Sequence, residues 1–256
     1  MLLSRTLRHA ASAGRAASNA WSGGPLGPGL GLPYELRLVI RAEPDPGTGY
    51  ICDIKRMDDC LLQAVRLNGH AARDWFEWLE RLNGHVLALL PIGQAESLAL
   101  QLSPQLALTY QFTEHPAMHY CEQFEFSAAH RLHVEHLSEA ENQRLFGKCN
   151  NPNGHGHNYV LDVSIEVPTT ESSQGQRLGL VDRMADVVRT QIVNRFDHRH
   201  LNLDVPEFKS LNPTVENIAA VIWERLAAVD ALGTELVAVR LYETAKTWAE
   251  RRRGDS

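Results

Sequence analysis

The sequence predicts an α+β fold, an antiparallel sheet with a pair of helices on one face, built as two tandem copies. Three observations predict it. Two segments of the second half alternate apolar and polar residues at the period of a half-buried strand. Two later segments carry apolar residues at helical spacing, and an apolar strand closes the run. The first half repeats this order weakly: residues 52–58 resemble 181–186, residues 95–99 resemble 215–219, and residues 106–112 stand where 236–242 stand in the second half.

The elements follow in chain order. Residues 2–9 read as an initial strand or, equally, as part of an organelle presequence, because the first 34 residues carry three arginines, no acid, and a run rich in glycine and proline over 22–33. Residues 34–42 read as a strand and 44–49 as its turn, punctuated by proline and glycine. Met57, Leu61, Leu62 and Val65 give residues 54–66 a helical stripe, and 72–82 follow as a second helix. Phe124, Phe126, Ala128 and His130 alternate as one strand, and Tyr159, Leu161, Val163, Ile165 and Val167 as the next. Asp182 is expected to cap a helix carrying Met184, Val187, Val188 and Ile192. Asn212 and Pro213 are expected at the cap and first position of another, with Ile218, Val221, Ile222 and Leu226. Residues 235–243 close the unit. The expected domains are therefore 1–117 and 118–250, with 251–256 as a tail.

Composition narrows the class of function. The 256 residues are 44% apolar and 22% charged, as in an ordinary folded domain. A net charge of −6 offers no general attraction to nucleic acid or to an acidic membrane surface. No apolar run approaches the roughly 20 residues that span a bilayer. Four scattered cysteines do not make a disulfide framework and indicate a reducing compartment, read as cytoplasmic, or as mitochondrial if residues 1–33 are a presequence. Histidine stands out, with twelve in all and seven between His130 and His200.

His155-Gly156-His157 opens a strand, so its two imidazoles project from one face. His130, ending the preceding strand, supplies a third if the strands pair. Three neutral imidazoles and one open position are what catalytic Zn²⁺ uses, and Gly156 between them would let substrate approach closely. Cys149 sits in a loop of glycine, asparagine and proline, where Lys148 would favour its thiolate. It is a candidate nucleophile or base, or a fourth zinc ligand closing the site. Asp197-His198 is a candidate proton-transfer pair, the carboxylate orienting the imidazole. His133 and His136 read as surface residues, and His70, His85, His115 and His119 lie in the first half, where no H-G-H occurs.

Phe126-Ser127-Ala128-Ala129-His130-Arg131-Leu132-His133 and the run from Phe146 through Cys149 to His155-Gly156-His157-Asn158-Tyr159 closely resemble the signatures of the 6-pyruvoyltetrahydropterin synthase and 6-carboxytetrahydropterin synthase family. Asp197-His198, Leu201-Asn202, Glu216-Asn217 and Tyr242-Glu243-Thr244 match further family positions in order, over residues 120–247. The resemblance implies the tunnelling fold, a zinc cofactor held by His130, His155 and His157, and a homo-oligomer, with the first half a degenerate copy lacking the metal motif. It implies a lyase acting on 7,8-dihydroneopterin triphosphate with loss of triphosphate, Cys149 the base, and Asp197 with His198 the second proton-transfer partner. Glu243 would anchor the guanidine-like edge of the pterin, and Thr214 and Glu216 would make further substrate contacts. Two departures pull apart: Val215 and Asn212-Pro213-Thr214 look like the carboxy-product branch, which releases acetaldehyde in the queuosine pathway, while the five residues between Cys149 and His155 look like the pyruvoyl branch of tetrahydrobiopterin biosynthesis. A non-catalytic metal-binding module and a zinc hydrolase, which would need a carboxylate base near the ligands but no Cys149, are the other classes.

Overall fold

A computed structural model of the chain describes residues 1–11, 32–69, 72, 74–90, 95–112, 116–169, 174–230, 232 and 235–255. It divides into two compact units, Met1–Tyr120 with Val167–Gln174, and Cys121–Glu166 with Gly175–Ser256. In the first, β1 (Leu2–Ala11), β2 (Leu32–Arg41), β3 (Ala95–Ser103) and β4 (Leu106–Gln111) lie side by side in that order, each antiparallel to the next. Between β2 and β3 run α1 (Ile54–Asn68) and α2 (Trp75–Leu89), which pack on each other. Asp53 caps α1 by accepting from the Lys55 N–H, and Asp74 caps α2 by accepting from that of Glu77. Leu36, Leu38 and Ile40 bury one face of β2 while Arg37 on the other stays exposed, the alternation read from sequence.

The strand reading of the N-terminus is the one the structure adopts, since Leu2 pairs with Arg41 and the ladder continues to Ala11 opposite Leu32. The remainder of the presequence reading falls on residues 12–31, outside the described residues, as do His70 and His115. Two correspondences were misplaced: residues 106–112 fall on β4, the last strand of its unit, whereas residues 236–242 fall on the strand before the last in the other. Residues 95–99 belong to β3, not to a helix, because Leu98 and Leu100 bury alternate positions of a strand.

In the second unit, β5 (Ala117–His130) neighbours β6 (His155–Val167), followed by β8 (Leu236–Thr244) and β9 (Thr247–Arg252), while the short β7 (Arg199–His200) runs parallel to β5. Within the β5–β6 connection lies α3 (Glu139–Phe146), opened by a capping box between Ser138 and Glu141. After β6, α4 (Gln174–Val188) runs through a π-helical stretch, Arg189–Val193, into α5 (Asn194–Phe196). Then come β7, α6 (Leu201–Asp204) and α7 (Val215–Ala227), which packs on β8 and β9. Asp182 lies inside α4 and caps nothing, because that helix begins at Gln174. The cap of α7 is Thr214, whose hydroxyl accepts from the Asn217 N–H, two residues later than the Asn212 expected. Residues 251–252, read as a tail, complete β9.

Both units thus run strand, strand, long helices, strand, strand, the tandem α+β arrangement expected. The core of the second is built from Phe126 stacked on Tyr159 at 5.1 Å, with Leu161, Val163, Ile165, Phe196, Ile218 and Ile222 fully buried behind them. No helix among the described residues is long and apolar enough to cross a membrane.

Candidate metal and catalytic site

The strand period carries the site. On β5, Phe126, Ala128 and His130 face the core, and on β6 Tyr159 and Leu161 do the same, so His155 and His157 extend that row toward the strand's start. The β6–β8 register pairs Leu161 with Leu241 and Val160 with Tyr242, which puts Glu243 on the same face beside Tyr159. Two strands thus deliver three imidazoles and a third delivers a carboxylate.

The imidazoles converge. One ligand nitrogen from each of His130, His155 and His157 lies within 4.8 Å of the others, and His130 Nε2 stands 3.2 Å from His155 Nε2. His130 is fully buried. Its Nδ1 donates to the Pro213 carbonyl at 2.7 Å, which fixes the tautomer and leaves the Nε2 lone pair facing the cluster. Burial pushes the His130 imidazole down to about 4 and also lowers that of His155, so both are neutral at pH 7. Buried His155 Nδ1 and His157 Nε2 have no hydrogen-bond partner. Three converging imidazoles, with a buried, unpartnered Nε2 on His157, are the nitrogen donor set a divalent metal of zinc's preference takes, so the residues fit the cofactor.

Glu243 joins the cluster with Oε1 3.6 Å from His130 Nε2 and 3.7 Å from His157 Nε2. Cys149 lies in the 3₁₀ turn Gly147–Asn150, tied to the β5 end by the Leu132 N–H donating to its carbonyl. Its thiol is pushed up by burial first and by the Glu243 carboxylate second, the opposite of the help expected from Lys148. Sγ is not among the converging donors, so the closed-site role weighed for it has no support here.

Asp197 and His198 are tied to the backbone of β5. Asp197 Oδ1 accepts from the Ser127 N–H at 2.8 Å, its Oδ2 pairs with His198 Nδ1 at 2.7 Å, and the His198 N–H donates to the Ser127 carbonyl. The Ser127 N–H, then His198, hold the Asp197 carboxyl below its usual range. Because β6 occupies one edge of β5, these bonds and β7 lie on the other edge. His198, at φ 56° and 84% exposed, borders an open cleft of about 430 Å³ shared with Ser127, Asn158, His157 and His200. Thr214 is spent on the α7 cap next to Pro213, and Glu216 is exposed in the first turn.

Several supports escaped the sequence reading. Asn202 grips Arg131 at both its N–H and carbonyl, Asn212 accepts from the His133 N–H, and Asn150 bonds His133 Nδ1, together fixing the loop that leaves His130. Gly156 has room for a Cβ, with its nearest neighbour at 3.6 Å; the constrained glycine is Gly154, at φ +71°. A Cβ there would stand 2.6 Å from His200 Nε2 and 2.9 Å from the His130 carbonyl oxygen. Gly154→Ala is expected to cost about 1–3 kcal/mol in denaturant unfolding and to weaken metal binding by displacing His130.

Residues 120–254 match the family model of 6-pyruvoyl tetrahydropterin synthase. A 6-pyruvoyl tetrahydrobiopterin synthase of Homo sapiens is 43% identical over 122 residues, 46% of this chain and 80% of that protein. One of Drosophila melanogaster is 39% identical over 121 residues, 47% and 71% of the two chains. A solved structure, that of Caenorhabditis elegans 6-pyruvoyl tetrahydropterin synthase, has 39% identity and a TM-score of 0.48, covering 54% of this chain and 97% of that one.

Proposed function

The chain belongs to the 6-pyruvoyl tetrahydropterin synthase family, and we propose that its second unit is a zinc-dependent lyase converting 7,8-dihydroneopterin triphosphate to 6-pyruvoyltetrahydropterin with loss of triphosphate. The observation that carries this reading is the convergence of three imidazole nitrogens beside a carboxylate. His130, His155 and His157 would hold the metal. Zinc, when bound, acidifies the protons beside the substrate's side-chain hydroxyls.

The chain's own groups do the rest. The Pro213 carbonyl keeps His130 in its ligating tautomer. Cys149, whose burial keeps it protonated at rest, exchanges a proton with the substrate side chain. Glu243 accepts two parallel hydrogen bonds from the guanidine-like edge of the pterin, with Thr214 and Glu216 as further contacts at the start of α7. Four free cysteines suit a reducing, cytoplasmic setting. Asp197 holds His198 Nδ1 and so leaves Nε2 as the exchanging nitrogen.

Since that pair hangs on the far edge of β5 and His198 is exposed, it serves Cys149 of a neighbouring copy in a homo-oligomer. Mixing inactive Cys149→Ala and His198→Ala proteins and reassembling them is expected to restore part of the activity. Failure of every mixture would place both residues in one copy's site.

Zinc-loaded protein given dihydroneopterin triphosphate is expected to release inorganic triphosphate. A chelator should stop the release and zinc restore it. Intact substrate after incubation with zinc-loaded protein would instead support the non-catalytic module.

A further inference from the structure

A role in substrate recognition alone leaves the position of Glu243 unexplained. Its Oε1 stands 3.6 Å from His130 Nε2 and 3.7 Å from His157 Nε2, too far for a hydrogen bond to either. Two donors on one tetrahedral zinc, each roughly 2.0–2.2 Å from the ion, stand about 3.3–3.6 Å apart. The 3.2 Å between His130 Nε2 and His155 Nε2 is close to this edge, and the carboxylate oxygen departs from it by only a few tenths of an ångström on its His130 and His157 sides; it does not yet converge with all three histidines, so the side chain must swing toward His155 to complete the tetrahedron. The placement is built in by the β6–β8 register, which fixes Glu243 on the histidine face, and the side chain is only 19% exposed.

We propose that Glu243 is the fourth metal ligand in the substrate-free protein, closing the position that the three histidines leave open, and that a pterin opens it by drawing the carboxylate onto its guanidine-like edge. The exchange breaks one metal–carboxylate bond and forms one bond from the metal to a substrate hydroxyl or water, with no change of oxidation state. One carboxylate then couples recognition to an available metal. This rests on the zinc and pterin reading above, and adds to it that the resting site is four-coordinate through protein atoms alone.

Cobalt(II) replacing zinc reports the coordination directly, because four-coordinate cobalt absorbs visible light much more strongly than five- or six-coordinate cobalt. The wild-type protein is expected to show the strong four-coordinate bands, and neopterin, its binding followed by its own fluorescence, to change them. Glu243→Gln is expected to lower cobalt affinity by about tenfold or more and to alter the bands without pterin. Circular dichroism checks that the variant folds, and if it does not, the neopterin response of the wild-type protein decides. Unchanged affinity and bands in Glu243→Gln, or neopterin that binds without altering the wild-type bands, overturns the fourth-ligand role and leaves the three-histidine reading standing. A wild-type protein that takes up no cobalt overturns both.

Discussion

Replacing Cys149 with alanine is expected to lower turnover of dihydroneopterin triphosphate by about 10²–10⁴-fold, the usual weight of a positioned proton donor or acceptor. Zinc should stay bound, because Sγ is not one of the converging donors, and pterin should still bind. Burial and the Glu243 charge both favour the proton-bearing thiol at rest, so substrate or metal must change its surroundings before it can accept a proton. The loss should therefore fall on kcat, with KM little changed. Full turnover with zinc in place would favour the hydrolase class, in which Glu243, a carboxylate beside the ligands, would be the base.

His155→Ala is expected to reduce zinc affinity by at least about 100-fold, beyond the range seen for partners that merely orient a ligand, and to abolish turnover with it. Two nitrogens would remain, and the 3.2 Å approach of His130 Nε2 to His155 Nε2 that pins one corner of the site would be gone. His133→Ala is the control. His133 lies three residues beyond His130 in the same loop, but its ring bonds Asn150 and is not among the donors, so this variant should retain zinc. Metal content after dialysis measures both, and equal loss in the two variants would contradict the assigned ligand set.

Much of the second unit was legible because period-2 alternation is local. Phe126, Ala128 and His130, then His157, Tyr159 and Leu161, announce their shared face without any knowledge of the partner strand. What the sequence hid is non-local or carried by the backbone. Nothing in Pro213 advertises that its carbonyl would meet His130, and the approach of Glu243 to the histidines depends on a register between strands about 80 residues apart in sequence. β9 escaped because Thr247–Arg252 is half-exposed and shows no clean apolar alternation. Residues 95–99 matched a helix by composition although leucines at alternate positions, continuing to Leu100, carry the strand signal. That Asp197 and His198 meet the Ser127 backbone follows from which edge of β5 the β7 segment takes, and edges are not written in any window of residues.

The first unit keeps the strand and helix order without the H-x-H pair. Where β6 opens with His155-Gly156-His157, β2 opens with Leu32 and Pro33, so no imidazole pair is offered to a metal there. One chain thus carries one complete donor set among its described residues.

The most direct test is the mass of the pterin formed when zinc-loaded protein consumes dihydroneopterin triphosphate. The expected product is 6-pyruvoyltetrahydropterin, with all side-chain carbons retained and triphosphate released. A 6-carboxytetrahydropterin accompanied by acetaldehyde, or a pterin still bearing its triphosphate, would contradict it.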